Sequence, residues 1–230
     1  MTNRLEVKDV FFDLDHTLWD FDKNSMLAFK RIFDRFQVEV EFDSFMKVYE
    51  PINLEYWKKY REERVTKEVL RRGRLIDSFE EFNIKFSVQV IDDLADAYIE
   101  ELPLDNHLFE GAINILDYLT EKYQLHIITN GFEEVQYKKL KNSKIYHYFS
   151  TITTSEEVGL KKPNPLVFLK ALEKANTNPQ QSVMIGDSFE ADILGAQNIG
   201  MDSIFYNYRN ENVSSDFIII NNLSEIKSHL

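Results

Sequence analysis

Two rhythms of apolar residues divide the chain. The first apolar run, Val10-Phe11-Phe12, is continuous instead of alternating, the pattern of a strand buried on both faces of a parallel sheet. It stops at Asp13-Leu14-Asp15. From Asn24 to Glu101 the apolar residues recur at three- and four-residue spacing, which predicts helices over 25–36, 43–60, 66–82 and 87–101. Each opens at or near Ser, Thr or Asp, whose side-chain oxygens accept hydrogen bonds from the free N–H groups of a first helical turn. Four such segments in succession suggest a small helical bundle.

After Pro103 short apolar runs alternate with helical periodicity. Helices are predicted over 111–121, 133–142, 165–174 and 191–198, and strands over 125–128, 150–153, 182–185, 202–205 and 217–220, with a short terminal helix. Such alternation is the mark of βαβ units around a parallel sheet. Right-handed crossovers bring all the strand C-termini to one edge, where open α/β sheets bind ligands. The expected fold class is therefore α/β: a Rossmann-like parallel-sheet core from residues 1–19 and 103–230, interrupted by an all-helical insertion over 20–102.

Composition narrows the chemistry. At 230 residues the chain is long enough for a substantial core. It has no cysteine, which excludes disulfides, thiolate metal sites and a thiol nucleophile and makes the cytoplasm the expected compartment. The 27 basic and 39 acidic side chains give a net charge of −12, which opposes binding to a nucleic acid polymer or an anionic membrane. No apolar run approaches the roughly 20 residues that span a bilayer. An anionic small-molecule substrate would need local cations or a metal.

Three strand ends and one loop carry candidate chemistry. Asp13 and Asp15 follow the first strand, and alternation puts both carboxylates on one side of an extended segment, close enough to raise one another's pKa. One could stay ionised as nucleophile or ligand while the other holds a proton; the same pattern also fits a strand-to-turn boundary. Thr129-Asn130-Gly131 ends the strand predicted over 125–128, and a hydroxyl, an amide and a close-approach glycine there suit phosphate oxygens, or an ordinary turn and helix cap. Gly186-Asp187 ends the strand over 182–185, with Asp192 following; carboxylates at a strand end suit Mg²⁺, and Asp192 equally suits a helix N-cap. Lys161-Lys162-Pro163 precedes a helix, and a lysine there could balance an acidic phosphate site.

In this order, the four pieces resemble the haloacid dehalogenase superfamily of phosphohydrolases, through Asp13-x-Asp15-x-Thr17, Thr129, Lys162 and Gly186-Asp187 with Asp192. The helical insertion is similar to that superfamily's cap of the first type. Ile-Thr-Asn-Gly-Phe at 128–132, Ser-Glu-Glu-Val-Gly at 155–159 and Ala-Asp-Ile-Leu-Gly at 191–195 resemble its bacterial pyrimidine 5′-nucleotidase subgroup.

The resemblance implies a Mg²⁺-dependent phosphomonoesterase. Asp13 would attack phosphorus to form an aspartyl-phosphate, and Asp15 would protonate the leaving oxygen and then activate water. Asp13, the Asp15 main-chain carbonyl and Asp187 would bind Mg²⁺, with Asp192 beyond them or bridging through water. Thr129, Asn130, Gly131 and Lys162 would hold the phosphoryl oxygens. In the insertion, Asn53, Trp57 and Arg74, with Trp19 and Phe21 before it, are candidates for meeting a base or sugar. Nucleoside 5′-monophosphates lead the substrate expectation, with a phosphatase for phosphoglycolate or a small sugar phosphate, or a phosphosugar mutase, as the alternative; dehalogenation is disfavoured because dehalogenases of the superfamily lack an acid at the place of Asp15, and a non-catalytic binding protein because it would have no evident need for Asp13, Asp15, Thr129, Lys162 and Asp187 together.

Overall fold

The computed structural model describes residues 6–213 and 216–230. The chain forms two compact units, one of Met1–Phe21 with Asn106–Leu230 and one of Asp22–Asp105.

The first unit is built on six parallel strands: β1 (Asp9–Phe12), β2 (Gln124–Thr129), β3 (Phe149–Thr154), β4 (Ser182–Gly186), β5 (Asp202–Tyr206) and β6 (Ile218–Ile220). Their order across the sheet is β3-β2-β1-β4-β5-β6. β1 is the centre and is buried along its whole length, as its unbroken apolar run requires. It lies in register with both neighbours, Phe11 opposite His126 on β2 and Met184 on β4. The chain leaves β1 to build β2 and β3 on one side, then crosses back to build β4, β5 and β6 on the other. That reversal opens a crevice at the C-terminal end of β1, the customary ligand site of an open α/β sheet.

The connecting helices are α5 (Ala112–Thr120), α6 (Glu133–Asn142), the single turn α7 (Ser155–Val158) and α8 (Pro165–Ala175). α6 spans the predicted residues. α7 is a turn that the periodicity did not reveal, because four residues are too few to show a period; Thr154 caps it by accepting from Glu157 N at 3.1 Å. The helix predicted over 191–198 differs. Phe189–Leu194 form a wide π-type turn, in which the Ser188 carbonyl accepts from Ile193 N, five residues on, at 3.4 Å as well as from Asp192 N at 2.8 Å, and only Gly195–Gln197 are α-helical. Asp192 Oδ2 accepts from Ser188 N at 3.0 Å, and its carboxyl group packs against Gly186 at the end of β4.

The second unit contains α1 from Asp22 on (the helix runs Phe21–Phe36), α2 (Phe42–Arg61), α3 (Lys67–Glu80) and α4 (Val88–Glu101). Thr66 and Ser87 cap α3 and α4 by accepting from Val69 N and Val90 N. Ser25 was expected to start α1. It instead donates or accepts at 2.8 Å with the Tyr98 hydroxyl inside the bundle, and the helix begins a turn earlier. The core is aromatic: Phe29, Phe33, Phe45, Tyr49, Phe79 and Tyr98 are all buried, with rings meeting edge-on, tilted or stacked. Arg74 is buried among them, its guanidinium 4.8 Å from the Tyr98 ring and donating to Asn53 Oδ1 at 2.9 Å. Asn53 and Arg74 therefore belong to the interior network of the bundle. Among the described residues no helix is long and apolar enough to cross a membrane.

Candidate active site

Asp13 is the first residue past β1, held by its N–H donating to the Ile185 carbonyl of β4 at 2.9 Å. The chain then doubles back: His16 N donates to Trp19 O at 2.9 Å, and Leu18 N donates to Leu14 O at 3.0 Å. His16 takes a left-handed conformation, φ 62°, to close this turn. Arg209 and the Tyr208 hydroxyl both approach His16 Nδ1, at 3.2 and 2.7 Å. Since a guanidinium can only donate, Nδ1 is the acceptor and the imidazole is neutral there; burial, then Arg209 and Lys139, lowers its pKa well below the ordinary value.

Lys162 reaches this loop from the segment before α8. Its Nζ lies 2.6 Å from Asp13 Oδ1, 2.7 Å from the Ile128 carbonyl and 2.7 Å from Asp192 Oδ1. Asn130 fixes its main chain from both sides: Lys162 N donates to Asn130 Oδ1 at 2.8 Å, and Asn130 Nδ2 donates to Lys162 O at 3.0 Å. The Asn130 side chain, read from sequence as a phosphate ligand, is thus engaged in placing the lysine. Between Lys161 and Lys162, the buried one is Lys162.

Asp13, Asp187 and Asp192 each offer a carboxylate oxygen, all within 4.8 Å of one another. Thr17 donates to Asp187 Oδ1 at 3.2 Å, tying the β1 loop to the end of β4. Gly186 makes the approach possible, because a Cβ there would lie 2.2 Å from Asp192 Oδ2. Three carboxylates share one ammonium group, and burial raises the pKa of both Asp13 and Asp187. The Asp13 carboxyl is pushed up to about 7 by burial and by Asp192 and Asp15, against Lys162. Asp187 stands well above the usual carboxylate range through burial, Asp13 and Asp192. Burial works against the Lys162 ammonium, but Asp13 and Asp192 outweigh it and raise its pKa. A surplus of hard, negatively charged oxygens facing one another is the donor set that suits a divalent cation such as Mg²⁺.

This crowding has a measurable sign. A carboxyl whose pKa rises on folding, here from 3.8 to about 7, contributes stability that is fully present below 3.8 and is lost as pH climbs through about 7. In chelator, the melting temperature of Asp13→Asn relative to wild type should therefore rise between pH 4 and pH 7, as checked by calorimetry across that range. A difference that stays flat would contradict the burial argument.

The Asp15 carboxylate is held by two side chains of α6. Lys139 Nζ meets Oδ1 at 2.5 Å and Gln136 Nε2 donates to Oδ2 at 3.1 Å. Gln136 Nε2 also donates to Thr129 Oγ1 at 2.7 Å, and Gly131 N donates to the same oxygen at 3.1 Å. With both lone pairs of that hydroxyl accepting, its hydrogen is the part left to donate. Gly131 is required for packing: a Cβ would sit 2.5 Å from the Gln136 carboxamide. Sequence reading missed Lys139 and Gln136. The available signal was their position on the buried stripe of α6, beside Val135 and Leu140, where an amphipathic helix ordinarily carries apolar residues.

The chain is similar to known proteins along most of its length. Residues 10–206 match the family model described as haloacid dehalogenase-like hydrolase. The chain is 33% identical to the pyrimidine 5′-nucleotidase YjjG of Escherichia coli (strain K12), over 86% of this chain and 85% of that protein. It is 32% identical to the pyrimidine 5′-nucleotidase PynA of Streptococcus pneumoniae, over 87% and 84%. The fold superposes on the magnesium-bound crystal structure of the putative HAD-hydrolase YfnB from Bacillus subtilis with a TM-score of 0.89 at 26% identity, covering 98% of this chain and 99% of that one. A family match over residues 10–206 and relatives at 32–33% identity over most of both chains show that this chain belongs to the haloacid dehalogenase-like hydrolase family.

Proposed function

We propose that the protein hydrolyses phosphomonoesters through an aspartyl-phosphate on Asp13, and that its substrates are pyrimidine nucleoside 5′-monophosphates. The observation that carries the reaction type is the pairing of Asp13 with Lys162 at 2.6 Å inside the Asp13, Asp187 and Asp192 cluster, with the spare Thr129 hydrogen beside it. That is a carboxylate nucleophile next to donors for phosphoryl oxygens. The nucleotide preference is supported by the similarity to YjjG and PynA.

Lys162 holds Asp13 in orientation and offers its ammonium charge to a phosphoryl oxygen. An Asp13 oxygen bonds to phosphorus as the ester bond opens, and the leaving oxygen takes the electron pair and the proton carried by Asp15. In the second half, water gives a proton back to Asp15 as its oxygen bonds to phosphorus; the Asp13–phosphorus bond opens and inorganic phosphate leaves. Asp13, Asp187 and the Asp15 main-chain carbonyl would hold Mg²⁺, with Asp192 directly or through water, and when bound it supplies neutralisation of the charge on nucleophile and phosphate. Asp192 spends its oxygens on Lys162 and Ser188 N, so its part is chiefly to orient the lysine.

Initial rates on uridine, deoxyuridine and thymidine monophosphates, phosphoglycolate and small sugar phosphates test the proposal. The pyrimidine nucleotides should give the highest kcat/KM, and chelation should lower every rate by about 10³-fold or more, the scale on which loss of a fixed charge slows phosphoryl transfer. Full activity in chelator would sink the mechanism. A sugar phosphate turned over best would leave the mechanism standing and remove the nucleotide assignment.

A further inference from the structure

Burying an ammonium group or an amide is unfavourable unless a partner repays the lost hydration. Lys139 and Gln136 of α6 are 2% and 0% exposed, and both turn to Asp15, on separate oxygens. Lys139 Nζ also lies over the Trp19 ring at 4.2 Å and the Phe21 ring at 5.2 Å, so aromatic faces as well as the carboxylate attract its ammonium group. Burial lowers its pKa, with Asp15 opposing. Gln136 Nε2 is shared between Asp15 and Thr129, and its Oε1 is buried with no hydrogen-bond partner. A helix needing only to pack would carry apolar side chains at both positions and avoid the unsatisfied acceptor.

We infer that Lys139 and Gln136 are positioning residues for proton transfer: together they fix the Asp15 carboxyl group, and Gln136 also fixes the Thr129 hydroxyl as a donor. The inference rests on the phosphomonoesterase reading and extends it to residues outside the four motifs. Asp15 sits in the turn after β1, where an unrestrained carboxyl group would sample several rotamers, and catalysis by a misplaced acid falls steeply. Each carboxylate oxygen has two lone pairs, so gripping one on each leaves the other to meet the leaving oxygen or water.

Two aryl esters separate this role from simple structural support. Phenyl phosphate releases a basic leaving group that needs the Asp15 proton, whereas 4-nitrophenyl phosphate departs almost unaided. In Lys139→Met and in Gln136→Leu, kcat/KM for phenyl phosphate should fall by about 10²-fold, the usual worth of a general acid, and that for 4-nitrophenyl phosphate by less than about fivefold. The second ester should also show a burst of one nitrophenolate per chain, because hydrolysis of the phosphoenzyme needs the same carboxyl group as base. Equal losses on both esters, no loss on either, or unfolding of both variants overturns the inference; if Lys139→Met alone melts early, Gln136→Leu decides. Wild-type protein inactive on both esters would instead remove the phosphomonoesterase reading beneath it.

Discussion

Asp13→Asn is expected to lower kcat by about four orders of magnitude or more while the protein remains folded, since a nucleophile whose removal abolishes covalent catalysis leaves only the residual effect of binding groups. The substitution is nearly isosteric. The new amide oxygen can still accept from Lys162, which the native carboxylate meets at 2.6 Å, so the geometry of the loop should survive. Removing one of three crowded carboxylates also relieves repulsion that raises the pKa of Asp187. Loss of turnover should therefore accompany a melting temperature in chelator no lower than that of wild type near pH 7. Rapid-quench assays should detect no phosphorylated protein in this variant. Turnover within about tenfold of wild type would exclude Asp13 as the nucleophile.

Lys162→Met should give the largest stability loss of any single change at the site. Lys162 is 2% exposed, donates to Asp13 and to the Ile128 carbonyl, and forms an ion pair with Asp192 at 2.7 Å. Removing one partner of a buried ion pair leaves uncompensated charge and costs about 3–5 kcal/mol. For a chain of this size, that is a fall in melting temperature of about 10 °C. The loss should shrink at low pH, because the orphaned Asp13 carboxyl can take up a proton. Adding Asp13→Asn to Lys162→Met should restore part of the lost stability, because one of the stranded carboxylates is gone. A Lys162→Met variant as stable as wild type would show that the lysine is not the counter-charge of the cluster. Activity should be lost in the single and the double variant alike.

Much of the site was legible because its pieces sit at the ends of strands. The unbroken Val10-Phe11-Phe12 run marked β1 as central, and the two aspartates after it fell at the crevice where the strand order reverses. The Gly186-Asp187 strand end was likewise legible, and the structure brings Asp187 and Asp192 within reach of Asp13. The individual assignments of side chains were less readable. The Thr129-Asn130-Gly131 turn reads as a set of phosphate donors, and nothing in that pattern shows that both ends of the Asn130 amide are hydrogen-bonded to the Lys162 main chain, 32 residues away in sequence. Asn53 and Arg74 were candidates for substrate contact, and both are turned inward toward the aromatic core of the second unit. Polar residues inside an apolar stripe look alike in sequence whether they serve packing or chemistry.

The helical and strand periods, the caps at Thr66 and Ser87, and the strand ends that carry Asp13, Thr129 and Asp187 are legible in the chain alone, because each depends on neighbours within a turn or two. What meets Asp15 follows from the fold. Gln136 and Lys139 are 121 and 124 residues away from it, and they reach it because β2 lies beside β1 and α6 leaves β2 over the same edge. The fold likewise settles which lysine is buried and brings Asp192 to that lysine. Local pattern is set by short-range sterics and hydrogen bonding, while the partners of a buried charge are set by strand order and crossover, which no window of sequence contains.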